Sequence, residues 1–231
     1  TVAAIAAGPS LMSRESYTAI QLFLVITGAA YGVFLAAHSR TTHVGLERAY
    51  SAHLEELSQR LRNMAYRDAV TGLYNHRYFR EQLSHELERS ARYGQPLSMI
   101  LMDMNNFKEI NDRYGHFMGD KFLGLVGEVI DRQIRASDVG ARYGGDEFVI
   151  VLPNTLPEEA ALTGEKLVAA VASCAAMTAT GETVELGVSY GVASFPSDAK
   201  TAGELIQQAD VRLYAAKAQR KDGRRKRSPA A

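Results

Sequence analysis

The stretch "GARYGGDEFVIVLP" (140–153) constrains the fold more than any other part of the chain. Gly144-Gly145 reads as a two-residue turn between two strand-like runs, so the runs must lie side by side and antiparallel. The second run, "FVIVL", is apolar throughout and therefore buried on both faces. A sheet of that kind needs helices to cover it. The hairpin also carries Asp146 and Glu147 to one end of the sheet. Neighbouring carboxylates there repel each other unless something offsets their charge.

The surrounding sequence supplies the cover. "NHRYFREQLSHELERSARYG" (75–94) is an amphipathic helix closed by Gly94 and Pro96, and "LSMILMDM" (97–104) is a buried strand ending in Asp103. "MGDKFLGLVGEVIDRQIR" (118–135) reads as helix despite its glycines, as do "PEEAALTGEKLVAAVAS" (157–173) and "TAGELIQQADVRLYAAKAQRK" (201–221). "TVELGVSYGVASFP" (183–196) is a strand pair or one long strand. The expected class is α+β, with one largely antiparallel sheet flanked by helices. Apolar residues make up 46% of the chain, enough for a sizeable core.

Ahead of this domain lies an uncharged run, Ser16 to Ser39, between Arg14-Glu15 and Arg40. About 20 apolar residues of helix cross a bilayer core, so 16–39 is expected to span a membrane. A buried core helix or a signal peptide would share the pattern, but the flanks fit a signal peptide poorly. Arg40, Arg48, Arg60 and Arg62 outnumber Arg14, which favours a cytoplasmic carboxyl side. Residues 1–15 read as a remnant of something upstream. Between 44 and 66, Tyr50, Leu54, Leu57, Leu61 and Met64 follow heptad spacing, expected of a short coiled-coil signalling helix that pairs with its twin. The alternative is a helix packed on its own domain. The single cysteine, Cys174, excludes an internal disulfide and suits a reducing compartment. Lys+Arg and Asp+Glu both number 26, so overall charge points to no nucleic acid. The basic tail, 222–231, reads as a mobile end.

If the 97–104 strand neighbours the hairpin, Asp103 and Asp146 meet at one edge. Oxygen ligands in such a pair suit Mg²⁺ or Mn²⁺, and two metals acting on a phosphoryl group become the natural chemistry. Glycines beside them let the backbone approach phosphate closely. Downstream, "DMNNFKEINDRYGHFMGD" (103–120) offers Lys108, Asn111, His116 and Asp120. Asn and Asp side chains can read the donors and acceptors of a guanine edge.

These motifs, "DAVTGLYNHRYF" (68–79), "FKEINDRYGHFMGD" (107–120), "RYGGDEF" (142–148) and "ADVRLYAAK" (209–217), resemble in order and spacing the GGDEF diguanylate cyclases. Members of that family condense two GTP into cyclic di-GMP and two pyrophosphates. The resemblance covers about 67–221 and implies a nucleotidyl-cyclase-like palm domain with a mainly antiparallel five-stranded sheet. It implies that Asp103, Asp146 and the Met104 carbonyl hold the two metals of each half-site. Asp146 also helps deprotonate the attacking 3′-hydroxyl, with Glu147 sharing that work. Asn111 and Asp120 are expected to bind guanine with His116 nearby. Phe107, Lys108, Gly144, Gly145, Lys217 and Lys221 are expected to meet the triphosphate. One domain binds one GTP, so catalysis implies an antiparallel homodimer. Arg135 and Asp138 match the family's RxxD product-inhibition site, with Lys166 as a further basic contact.

The chain departs from the family in three places. Asn105 stands where a second Asp is usual, "DAVTGL" replaces Asp-x-Leu-Thr-Gly-Leu, and Lys221 stands where an arginine is usual. A lysine lacks the arginine's two-pronged grip. The rival reading is a catalytically silent domain that binds GTP or cyclic di-GMP as a signalling receptor; retention of Asp103, Asp146 and Glu147 speaks against it.

Overall fold

The computed structural model describes residues 14–174, 176–178 and 181–227, with the side chains of 37, 39–49, 59–64 and 221–227 left out. The chain divides into two compact units, Thr1–Leu61 and Arg62–Ala231. Helix α1 (Arg14–Tyr66) supplies the described part of the first unit and ends within the second. Its Arg14–Ala36 stretch has a mean hydropathy of 2.0 and none of it is buried against the chain, so by length and composition it can cross a membrane. Leu22, Phe23, Val25, Ile26 and Phe34 are all exposed. Thr27 turns its hydroxyl back onto the Phe23 carbonyl at 2.8 Å, which satisfies that polar group within the helix itself. Tyr50, Leu54 and Leu57 of the heptad seam are exposed. The side chains of Leu61 and Met64 lie outside the described residues.

The second unit follows the order α2 (His76–Tyr93), β1 (Leu97–Met104), α3 (Phe107–Tyr114), α4 (His116–Gln133), β2 (Val139–Gly144), β3 (Glu147–Pro153), α5 (Pro157–Ala172), β4 (Ala176–Met177), β5 (Thr183–Val184), β6 (Val188–Phe195) and α6 (Ala202–Arg227). Asn75 caps α2 by accepting from the Tyr78 N–H, and Gly94 closes it in the left-handed region. The sheet has four antiparallel strands in the order β2–β3–β1–β6, not five. The stretch 183–196 accounts for the difference, because β5 and β6 belong to different sheets. β5 pairs with β4 in a separate two-stranded ladder. Between them the Gly187 carbonyl accepts from the Asn105 N–H and so turns toward the end of β1. Helix α6 runs to Arg227, into the stretch read as tail; residues 228–231 lie outside the description.

Alternation along β1 divides the core into two layers. Ile100, Met102 and Met104 pack with Phe122, Val126 and Ile130 of α4 and Leu167 of α5. Leu97, Met99 and Leu101 pack with Phe79 and Leu83 of α2 and Leu205, Ala209 and Leu213 of α6. Asp103 continues the second set, so its side chain emerges on the α6 side. Gly191 lets α6 come close: a Cβ there would sit 2.2 Å from the Ala209 carbonyl and 2.4 Å from the Leu213 N. One turn beyond Leu213 stands Lys217. The close approach at Gly191 therefore delivers that lysine to the end of β1.

Candidate active site

Asp103 pairs across the sheet with Glu147 on one side and Ser189 on the other. Asp103 is 8% exposed, which is rare for a carboxylate. Burial pushes its carboxyl above the ordinary value; the hydrogen bond from Lys217 opposes this and the charge on Asp146 adds to it. Lys217 Nζ lies 2.7 Å from Asp103 Oδ2. The Glu147 carboxyl is likewise raised, by burial first and then by the charge on Asp103.

The hairpin turn falls one residue later than the sequence suggests. Gly144 pairs with Glu147, so Gly145 and Asp146 form the turn, and a register shift separates Arg142 from Gly144. Gly145 takes φ +54°, a region that costs a glycine little. Asp146 accepts at its carbonyl from the Met104 N–H at 3.1 Å, which joins the turn to β1. Asp103, Met104, Asp146, Glu147 and Lys217 are thereby brought together, as expected from the sequence, with Gly144 and Gly145 exposed beside them.

A divalent cation fits this arrangement. The Asp103 carboxyl is raised by burial and by the charge on Asp146, despite Lys217 and Arg220 acting against this, and the Glu147 carboxyl opposite is raised as well. Among the described residues no group of three or more carboxylate, imidazole or thiolate side chains forms a cage of its own. Two carboxylates with water and phosphate oxygens are the incomplete protein set that Mg²⁺ favours.

A second cluster lies between α3 and α4. Asn111 Oδ1 is buried without a partner among the described residues. It rests on Gly119, where a Cβ would stand 1.9 Å from it and 3.2 Å from Phe107 Cζ. An orphaned buried acceptor is costly unless a ligand supplies a donor. Lys108, His116 and Asp120 are exposed, on the first turn of α3 and the first turns of α4.

Arg220 was not among the residues expected from the sequence, and it stands in the site. Its Nη2 donates to Asn106 Oδ1 at 2.9 Å, and its Nε is buried with no partner among the described residues. Asn106 adopts φ 61° at the start of α3 and caps it with no side-chain hydrogen bond, leaving first-turn N–H groups open. The available signal was spacing: positions 220 and 221 both follow Lys217 by about one turn and share its helix face. The side chain of Lys221 lies outside the described residues. Asn105, the departure from a second Asp, accepts from Ser189 Oγ at 2.7 Å and so serves as a structural link.

A family profile for the "Diguanylate cyclase, GGDEF domain" matches residues 65–223. The chain belongs to the GGDEF diguanylate cyclase family. Diguanylate cyclase DgcP of Pseudomonas aeruginosa is 37% identical over 171 residues, which cover 74% of this chain and 24% of that protein. Response regulator PleD of Caulobacter vibrioides is 33% identical over 172 residues, 74% of this chain and 38% of that protein. The chain thus spans well under half of these curated relatives. Among solved structures, the coiled coil and GGDEF domain of DgcB from Caulobacter crescentus, in complex with c-di-GMP, aligns at a TM-score of 0.69 and 28% identity, covering 78% of this chain and 95% of that one. The GGDEF domain of Pseudomonas aeruginosa TpbB aligns at 0.64 and 34% identity, over 67% and 90% of the two chains.

In this GGDEF domain the RxxD pair lies apart from the acids. The Arg135 N–H donates to Asp138 Oδ2 at 2.8 Å, and the Asp138 N–H donates to the Arg135 carbonyl at 3.0 Å. Both residues line a cavity of about 90 Å³ together with Thr163 and Lys166 of α5. The exposed Arg135 side chain is open to a ligand there.

Proposed function

We propose that this chain condenses two GTP into cyclic di-GMP with release of two pyrophosphates, as an antiparallel homodimer in which each protomer holds one GTP. The observation that carries the reading is the convergence of Asp103, Asp146 and Glu147 at the β1–β3 end, opposite Lys217. Asp103, Asp146 and the Met104 carbonyl would hold two divalent cations, Mg²⁺ or Mn²⁺, which would supply Lewis-acid stabilisation of the transferring phosphoryl group. Asp146 receives the proton of the attacking 3′-hydroxyl, with Glu147 beside it to share the charge. Asn111 Oδ1 accepts from the guanine edge, and Asp120 completes base recognition with His116 at the lip. Phe107, Lys108 and the backbone at Gly144–Gly145 face the triphosphate, with Lys217, Arg220 and Lys221 supplying positive charge from α6. Product grips Arg135 and Asp138 and slows turnover. The Arg14–Ala36 stretch anchors the chain in a bacterial inner membrane, leaving the GGDEF domain in the cytoplasm, and the heptad segment brings two copies together.

Incubation of the purified chain with GTP and Mg²⁺, followed by nucleotide chromatography, tests this. The wild type is expected to form cyclic di-GMP, and Asp146→Asn to form at least 100-fold less, on the order of a lost acid–base group plus a lost metal ligand. No product from a wild type that still binds cyclic di-GMP would favour the receptor reading.

A further inference from the structure

Asp68 and Arg142 belong to two of the sequence motifs, yet neither has a part in the chemistry above. In the fold they meet across 74 residues: Arg142 Nη1 lies 3.2 Å and 3.3 Å from the two carboxylate oxygens of Asp68. Both side chains are largely shielded, at 17% and 21% exposure. Asp68 is itself fixed, because Oδ1 accepts from the N–H of Thr71 at 2.9 Å, the N–H of Val70 at 3.2 Å and the Thr71 hydroxyl at 2.8 Å. The other prongs of the same guanidinium, Nε and Nη2, donate to the Gly145 carbonyl at 2.9 Å and 2.7 Å. Gly145 immediately precedes Asp146, and the ladder slips between Arg142 and Gly144. Where regular pairing falters, the arginine holds the turn.

The anchor extends backward along the chain. The Arg142 N–H donates to the Tyr74 carbonyl at 2.8 Å, and the Tyr74 N–H to the Gly140 carbonyl at 3.1 Å. The next residue, Asn75, donates its N–H to the Tyr66 carbonyl at 2.7 Å and its Nδ2 to the Ala65 carbonyl at 2.9 Å. A run of hydrogen bonds therefore leads from the last residues of α1 to the turn that bears Asp146.

We propose that Arg142 is a positioning residue: it clamps the Gly145 carbonyl and, through Asp68, registers the catalytic turn against the segment that leaves α1. Its effect on catalysis rests on the cyclase reading above; the clamp itself does not. A lysine cannot replace it, since one ammonium does not supply parallel donors to a carbonyl while also reaching Asp68.

The test uses the full chain with Arg142→Gln, Arg142→Lys and Asp68→Asn, after thermal melts identify the folded variants. Amide hydrogen exchange is followed in peptides covering 100–106 and 143–149, because the Met104 N–H bonds to the Asp146 carbonyl. Both peptides are expected to exchange faster in both Arg142 variants, with Asp68→Asn intermediate and the core peptides unchanged. In turnover, kcat is expected to fall roughly 10- to 100-fold in Arg142→Gln, as misplacement of about 1 Å can do, with KM for GTP within about threefold and no rescue by lysine. Exchange unchanged in these two peptides, or raised uniformly over the domain, would overturn the proposal. So would a loss confined to KM. A wild type that makes no cyclic di-GMP would instead refute the cyclase reading, and the exchange data would still judge the clamp.

Discussion

At the scale of single residues, the telling groups are those that the fold by itself leaves badly served. Asp103 is buried beside two other acids, with the paired Lys217 and the more distant charge of Arg220 to offset them. Asn111 Oδ1 and Arg220 Nε are buried without partners among the described residues. An acceptor on one side and a donor on the other suit a nucleotide with a base that donates and a phosphate tail that accepts. Arg220 is the less expected of the two. Its guanidinium supplies the two-pronged geometry that Lys221 lacks. Arg220→Ala is expected to raise KM for GTP about tenfold, a loss of about 1.4 kcal/mol. In binding assays on the Asp146→Asn background it should weaken GTP far more than guanosine. Equal loss for both ligands would mean that the arginine does not address the phosphates.

At the scale of elements, the site depends on how α6 is held against the sheet. Gly191 lets the helix approach, and Arg212 fastens it. Arg212 donates to the two carboxylate oxygens of Asp198 at 2.8 Å and 2.7 Å, and to the Val192 carbonyl at 2.6 Å. The Arg212 hydrogen bonds, helped by the Ser194 N–H, hold the Asp198 carboxyl below its ordinary value despite burial. A lowered carboxylate stabilises the fold at pH above the unfolded value of about 3.9 and loses that contribution as pH falls through the folded one. Asp198→Asn should therefore lower Tm at pH 7, and the difference from wild type should shrink progressively as pH is taken below the unfolded value. A Tm difference that persists undiminished in acid would contradict this.

Much of this layer was readable from sequence. The hairpin and the strand ending in Asp103 were legible because turn chemistry and apolar runs are local signals. The turn itself lay one residue further on, since the slip between Arg142 and Gly144 depends on a side chain bonding back to Gly145. The fifth strand failed because nothing local distinguishes β5, paired with the short β4, from the start of β6. The link between Asp68 and Arg142 was invisible for a like reason: it joins positions 74 residues apart, and only the fold brings them together.

At the scale of the whole molecule, the proposed reaction makes this site one half of a larger one. One domain presents one set of acids and one buried Asn111 acceptor, whereas the proposed product, cyclic di-GMP, contains two guanosines. In the proposed dimer, the exposed Tyr50, Leu54 and Leu57 on α1 would form the seam between two copies. In the proposed feedback, the RxxD cavity, apart from the acids, would give product a place to act without occupying the site that made it. Arg135→Ala should leave the initial rate near that of wild type and abolish the slowing as product accumulates. Progress curves with added cyclic di-GMP would read this, and inhibition at unchanged product concentration would refute it. The measurement that tests the account most directly is the specific rate of cyclic di-GMP formation against protein concentration, with the oligomeric state determined in the same samples. The account predicts that specific activity falls in step with the dimer fraction. Specific activity that stays constant down to a proven monomer would contradict it.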